Sequence, residues 1–279
     1  MKTAFGKRIM KTIIYAFLAF YTFISIYPLI WMVFYSFKNN DEIFVKNPFG
    51  FPTTLRFQNY VNAWNNYNMP SYFLNSMLVA VATVVFTITL SLMFSYATAR
   101  MKWRFSNVCR IYVMAGMFIP VQIILVPLVV LMQKFGLSNS LWALIIPYTA
   151  FELGFSSVVF YGFLRNIPFE LEEAAAIDGA NIYTTFFKII IPIVRPAIAT
   201  MVTFIFLFSW NEFTMALILI SKEKLKTLPL GLITFQGQFS TDWGGMGAAM
   251  VIASIPTIII YLLFNEEVEK ALTVGSAVK

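Results

Sequence analysis

Two carboxylates, Glu152 and Glu212, stand inside long apolar stretches of a 279-residue chain. A charge at the centre of a bilayer costs at least ~2.5–3.5 kcal/mol, so each is expected to face a cavity or a partner, or to be protonated. A carboxylate so placed can accept hydrogen bonds from a hydroxylated solute or hold a proton or cation. Around the second of them, Trp210-Asn211-Glu212-Phe213 adds an amide that both donates and accepts and an indole that can stack on a sugar ring. Structural support is the competing reading of the same four residues. Gln122 and Asn75 are weaker candidates, because neutral polar residues in membrane helices often just bond a neighbouring helix.

Other chemistry is excluded by what the chain lacks. It has no histidine, which removes imidazole-based metal ligation, phosphohistidine chemistry and every nucleophile–histidine relay. A single cysteine, Cys109, allows neither an intrachain disulfide nor a thiolate metal cluster. No G-x-x-x-x-G-K-[ST] phosphate loop occurs, so this chain is not expected to bind ATP itself. The expectation is a protein that is not an enzyme and carries no metal or cofactor of its own.

The elements that must position these groups are membrane helices. Hydrophobic residues make up 59% of the chain and charged residues 12%, which does not fit a soluble globule. Apolar runs extend over roughly 13–37, 71–99, 111–132, 141–163, 192–220 and 248–264, each long enough for the ~20 residues that a crossing needs. The first run is longer than the core of a signal peptide and reads as a retained helix. The expected fold is an all-α membrane protein with six transmembrane helices, a single domain over 1–279.

An even number of spans places both termini on one side. Thirteen Lys and Arg residues flank the spans on the side of the termini and seven on the other, so the excess marks the termini as cytoplasmic. Topology thus accounts for the net charge of +7, and no loop is large enough to form a nucleic-acid-binding face. Pro28, Pro120, Pro127, Pro147, Pro196 and Pro256 fall within five of the runs. Each is expected to kink its helix, either for a bundle that opens and closes or simply because proline is common in membrane helices. The small residues Gly244, Gly245, Gly247, Ala248, Ala249 and Ala253 permit close helix approach, within the chain or at a subunit contact.

Two loops stand out. The extracytoplasmic segment 38–71 carries Phe44, Phe49, Phe51, Phe57, Tyr60, Trp64 and Tyr67, and a short interfacial helix near 57–64 is expected there. A docking surface for an extracytoplasmic partner is the alternative. The cytoplasmic segment 164–191 reads as a helix, a glycine turn and a second short helix near 183–188. Asn166 is expected to cap the first helix, Pro168 to occupy its first turn, and Glu170, Glu172 and Glu173 to complement its dipole. Gly179 supplies a left-handed stop, and Ile167, Leu171, Ala174 and Ala175 share a face.

This elbow resembles a known motif. Glu173-Ala174-Ala175, Asp178-Gly179-Ala180, Phe186, Ile189, Ile191 and Pro192 match the EAA loop of permease subunits of bacterial ATP-binding-cassette importers, with isoleucine at 191 where leucine is usual. Trp210-Asn211-Glu212-Phe213, Thr227-Leu228-Pro229-Leu230-Gly231-Leu232 and the tail Gly275-Ser276-Ala277-Val278-Lys279 are similar to the carbohydrate-uptake, maltose-type branch. The resemblance implies a type I importer fold in the bacterial cell membrane, pairing with a second permease chain, two ATPase subunits that bind ATP and Mg, and an extracytoplasmic sugar-binding protein. It further implies that Glu173, Ala174, Ala175, Asp178, Gly179, Ala180 and Pro192 couple to the ATPase. By the same likeness the cytoplasmic tail 266–279 places Gly275 to Lys279 between the ATPase subunits, although the usual closing lysine-glycine is absent. Glu152 lies outside the pattern and either contacts solute or meets a basic residue of the second permease. Four rivals remain at this level. They are a permease of the same architecture for amino acids or phosphate, an ion-coupled secondary carrier, a phosphotransferase-system channel and a structural membrane scaffold. No internal repeat supports the carrier, and the channel leaves the elbow unexplained.

Overall fold

A computed structural model describes the backbone of residues 2–237 and 241–274 and the side chains of 8–237 and 241–266. The tail Gly275 to Lys279 lies outside the described residues. The helices run α1 (Lys2–Ser36), α2 (Gln58–Asn66), α3 (Met69–Arg100), α4 (Ser106–Ala115), α5 (Val121–Lys134), α6 (Trp142–Arg165) and α7 (Glu170–Ile177). They continue with α8 (Ile182–Thr185), α9 (Ile191–Ile193), α10 (Arg195–Asn211), α11 (Thr214–Leu219), α12 (Leu228–Gly231) and α13 (Trp243–Val274). Four of them contain uninterrupted apolar spans, Arg8–Ser36, Met69–Arg100, Trp142–Arg165 and Trp243–Glu266. The shortest has 24 residues, or ~36 Å at 1.5 Å per residue, enough for a ~30 Å hydrocarbon layer.

The third and fifth expected spans are not single helices. Ser106–Phe118 and Val121–Lys134 meet at 104°, and Ile182–Ile193 and Arg195–Asn211 meet at 74°; counting each bent pair once gives up to six spans. Pro120 therefore breaks its run instead of kinking it. Proline disfavours the helical conformation in the residue before it, and Ile119 and Pro120 are both extended, with ψ 114° and 133°. Pro196 sits in the first turn of α10, where the missing N–H costs no hydrogen bond. Pro28, Pro127, Pro147 and Pro256 lie inside helices. The fifth run also ends earlier than expected, at Asn211, with a break at Glu212 before α11.

The chain divides into two compact units, Met1–Met69 with Leu232–Ser254 and Pro70–Gly231 with Ile255–Lys279. In the first unit the segment after α1 is ordered around Lys38, which is fully buried. Its ammonium donates to the carbonyls of Asn47 at 2.5 Å and Gly50 at 2.7 Å, while Trp31 Nε1 donates to Pro48 O at 2.8 Å. Helix α2 is the expected helix near 57–64, held by Asn59 Nδ2, which donates to Ser36 O and Lys38 O at 2.8 and 2.9 Å. The small-residue run of α13 is used internally, since Gly244 sits against Lys38 O and Asn59, and Gly247 against Tyr35. Phe44, Phe49, Phe51 and Phe57 stay exposed.

The second unit has two apolar cores. One gathers Val79, Leu128, Leu144, Tyr148, Met215 and Leu219 from α3, α5, α6 and α11. The other gathers Leu92, Tyr96, Phe160, Leu164, Phe186, Ile190 and Met201, and so joins α3, α6 and α10 to the elbow between α6 and α10.

Candidate functional site

The elbow begins where α6 stops. Asn166 is the C-cap of α6, its N–H bonding back to Phe163 and Leu164 carbonyls. The expectation that it caps the next helix is thus corrected. Pro168 precedes α7 instead of occupying its first turn, and the N-cap position is Phe169 with no side-chain cap. Asn166 is taken up because the α6 turn closes on its own N–H before the chain reverses. The orphan N–H groups of α7 are offset by Glu170, Glu172 and Glu173 in its first turn.

At the far end of α7 the expected stop is present. Gly179 has φ +82°, a conformation that costs a residue with a Cβ about 1–2 kcal/mol. It lets Ala180 N reach Ala175 O at 2.9 Å and Gly179 N reach Ala176 O at 3.0 Å, the paired bonds of a Schellman turn. Asn181 then caps α8, its Oδ1 accepting from Thr184 N at 2.9 Å. A wide turn over Phe186–Ile190 leads into α9 with Pro192.

The face of Ile167, Leu171, Ala174 and Ala175 divides. Ile167 and Ala175 are buried, whereas Leu171 and Ala174 are exposed, and Ile177 is 87% exposed. Glu173, Asp178, Gly179 and Pro192 are exposed as well, and Glu173 has no ion pair among the described residues. The elbow therefore presents a small-residue surface bordered by acidic groups that no described residue covers.

What holds the elbow was not visible in the sequence. Arg100, at the end of α3, pairs through Nε with Glu172 Oε1 at 2.5 Å, with side chains 4% and 14% exposed. Its terminal nitrogens donate to Leu164 O (3.2 Å), Ile167 O (2.9 Å) and Pro168 O (3.3 Å), and the guanidinium lies 4.1 Å over the Phe169 ring. Tyr96, one turn earlier on α3, donates to Glu172 Oε2 at 3.2 Å. The planar guanidinium has five donors in a fixed fork, and here it binds the carboxylate and three carbonyls at the end of α6 and in the reversal. In the sequence Arg100 was only a charge flanking a span. Its signal is the partner 72 residues away.

Of the intramembrane candidates, Glu212 is fully engaged. Its Oε2 accepts from Tyr148 OH at 2.5 Å and from Ala216 N at 3.2 Å, and its Oε1 accepts from Met215 N at 2.8 Å. It thereby caps α11 and satisfies the buried Tyr148 hydroxyl. Trp210 is 2% exposed and stacks on Phe206 at 5.5 Å, with Phe73 edge-on at 5.4 Å. Asn211 is exposed and donates to Leu207 O at 2.8 Å. The Trp210-Asn211-Glu212 run is thus committed mainly to support. Asn75 donates to Lys224 O and Lys226 O at 2.9 and 3.0 Å, fastening α3 to a loop. In that loop Glu223 pairs with Lys226 at 2.5 Å and accepts from Tyr72 OH. The Lys226 bond first, and then the tyrosine, hold the Glu223 carboxyl below its ordinary range.

Gln122 is exposed in the first turn of α5. Glu152 lies in the middle of α6, half-buried and without a hydrogen bond or ion pair to any described residue. The structure brings Glu212 close to Tyr148 on α6, but none of these contacts gathers Glu152, Gln122 and Asn75 into one cluster.

Known proteins resemble this chain over nearly its whole length. The probable ABC transporter permease protein YurM of Bacillus subtilis is 35% identical over 95% of this chain and 88% of its own length. The diacetylchitobiose uptake system permease protein NgcG of Streptomyces coelicolor is 33% identical over 98% and 91%. The fold matches a crystal structure of a bacterial ABC transporter involved in the import of the acidic polysaccharide alginate. Its TM-score is 0.84 over 94% of this chain and 97% of that one, at 21% identity. Residues 89–274 match the model of the binding-protein-dependent transport system inner membrane component family. With that match over most of the chain, on a bundle of membrane helices and an exposed elbow, the protein belongs to this family of ABC importer permeases, a transport subunit and not an enzyme.

Proposed function

We propose that this chain is one of two permease subunits of an ATP-driven importer that takes up a sugar, a di- or oligosaccharide, delivered by an extracytoplasmic binding protein. The carbohydrate assignment is supported by a relative named for diacetylchitobiose uptake and a fold neighbour that imports a polysaccharide. The single observation that carries the coupling role is the exposed surface of Glu173, Ala174, Asp178 and Gly179 on an elbow otherwise built into the bundle. In this reading each ATPase subunit of a pair, which bind the ATP and Mg, receives one such elbow. Ala174 is small enough to enter a cleft there, and Glu173 meets a basic group.

The asymmetry of Lys and Arg supports cytoplasmic termini and hence a cytoplasmic elbow. The tail Gly275 to Lys279 then starts on the ATPase side. No residue in the most apolar stretch of α1 is buried, which suits lipid and a second permease around it. Glu152 is the polar group best suited to the solute path. It lies ~15 Å along α6 from Trp142 and ~20 Å from Arg165 at 1.5 Å per residue, near the depth where lipid exposure is most costly.

The test is to purify the chain from its native membrane in mild detergent, identify what accompanies it, and assay ATP hydrolysis with and without liganded binding protein. Recovery of a second six-span chain and an ATPase pair is expected. Glu173→Ala should lower transport-coupled ATP hydrolysis with the fold intact, and normal coupling in that variant would count against the docking role. A chain that purifies alone and moves solute under an ion gradient would overturn the importer reading.

A further inference from the structure

We infer that Arg100 is a positioning residue that makes α7 and the cytoplasmic end of α3 move as one rigid lever, so that displacement of α7 by the ATPase is delivered to the bundle through α3. The inference rests on the docking reading of the elbow and adds the route by which force leaves it.

The two ends of α7 differ. At its N-terminal end both oxygens of Glu172 are held by α3, one by Arg100 and one by Tyr96, four residues apart on the same helix. The same guanidinium holds the end of α6 and the reversal through three carbonyls, those of Leu164, Ile167 and Pro168, and packs on Phe169. Segment 164–172 and the last turn of α3 are therefore one hydrogen-bonded block. At its C-terminal end α7 is followed by the Gly179 turn and the α8 arm. Between that arm and α3 lies an open apolar groove of about 450 Å³, lined by Met93, Tyr96 and Met101 of α3's end and by Ile182, Tyr183 and Phe187. The arm meets α3 through apolar contact alone, Phe186 lying 5.0 Å from the Tyr96 ring, with no hydrogen bond or ion pair to α3 among the described residues. A push on the N-terminal end is carried by this block into α3 as well as into α6 through the short reversal.

Stability alone does not account for the arrangement. A buried ion pair is costly to desolvate and is often matched or bettered by apolar residues of similar volume. A planar fork that fixes a carboxylate and three carbonyls at once does, however, define a single relative placement of two helices, which an apolar contact would not. A lysine at 100 would keep the charge and lose the fork.

The experiment uses the full complex, permease pair, ATPase pair and binding protein, in liposomes, and reads three quantities: ATPase subunits retained, ATP hydrolysis stimulated by liganded binding protein, and solute taken up per ATP hydrolysed. Arg100→Gln should retain the ATPase subunits while uptake per ATP falls about tenfold or more, within the ~5–150-fold span of coupling between sites. Arg100→Lys should fall between this variant and the unaltered chain. Glu172→Gln should lower uptake per ATP less than Arg100→Gln, because the three carbonyl contacts remain, and the double variant should cost less than the sum of the two, because both weaken the same Arg100–Glu172 bond. Should Arg100→Gln fail to assemble, Tyr96→Phe combined with Glu172→Gln removes the ionic pairing and the tyrosine bond with little change in volume and should lower uptake per ATP in the same direction.

Unchanged uptake per ATP in these variants would overturn the inference. So would additive losses in the double variant, or a loss of ATPase subunits with a normal ratio in what remains. Glu173→Ala separates the two levels, since its failure to affect coupling strikes at docking, whereas a failure confined to Arg100 and Glu172 strikes only at the lever.

Discussion

Replacing Glu212 tests whether the intramembrane carboxylate of the Trp210-Asn211-Glu212 run supports the fold or contacts solute. In Glu212→Ala two N–H groups at the start of α11, Met215 and Ala216, lose their acceptor. Loss of such a cap costs about 0.5–2 kcal/mol. The hydroxyl of Tyr148, a fully buried side chain, also loses its partner, and a stranded buried donor costs about 1–3 kcal/mol. Hydrogen bonds inside membrane proteins average only ~0.6 kcal/mol, which favours the lower half of the combined range, or about 2–3 kcal/mol in all. For a chain of this size each kcal/mol moves the Tm by roughly 2–4 °C, so a fall of about 4–12 °C is expected. Glu212→Gln keeps one carbonyl oxygen for the helix and should lose about half as much. Tyr148→Phe removes the donor together with its need for a partner and should cost about 1 kcal/mol. Combined with Glu212→Gln it should cost less than the sum, because the two share one bond. Thermal unfolding of the detergent-purified complex, followed by tryptophan fluorescence, gives the Tm, and uptake in liposomes gives KM. An unchanged Tm together with a raised KM for solute in Glu212→Gln would refute the support role and return this carboxylate to the solute path.

Two further outcomes follow from single positions. Gly179→Ala meets no atom within 4 Å but must keep φ +82°, so it should destabilise the elbow by about 1–2 kcal/mol through backbone strain alone. A fall in Tm that Gly179→Asn largely avoids would check it, since asparagine tolerates this conformation. The Glu223 carboxyl is held below its ordinary 4.5 by Lys226 and Tyr72. A depressed carboxylate stabilises the folded state above the unfolded value, and that contribution fades as pH drops from 4.5 through the depressed folded value. Glu223→Gln should accordingly lower the Tm at neutral pH and lose this difference in acid. An equal difference at both would refute the assignment.

The parts of the molecule that were legible in the sequence are those fixed by local physics. Apolar run length sets the spans, and Gly179 is read from the need for a left-handed stop between two short helices. The fastening of segment 38–71 was only partly legible. Its aromatics announced an interfacial loop, but the buried Lys38 that ties Asn47 and Gly50 carbonyls together looked like one more flanking charge. The 104° break at Pro120 is not legible in the sequence, because a proline inside an apolar run kinks or breaks its helix according to what re-satisfies the freed carbonyls. Pro127, Pro147 and Pro256 remained helical under the same sequence signal.

The same distinction between local and distant contacts explains why two acidic residues adjacent in sequence have separate duties. Glu172 and Glu173 are equivalent by composition and by helix-dipole reasoning, yet successive helical positions differ by about 100° in direction. Glu172 turns to Arg100 and Tyr96 of α3 and is half-buried, while Glu173 turns to solvent. One carboxylate is spent on holding the elbow to the bundle and the next is left for a partner. A one-residue rotation of α7 that set Leu171 in the place of Glu172 would leave Arg100, 8% exposed, without its anion. The cost of that stranded guanidinium, about 3–5 kcal/mol for one partner of a buried pair, opposes rotation of α7 in that sense. The observed setting keeps Glu173, Ala174 and Asp178 on the outer surface.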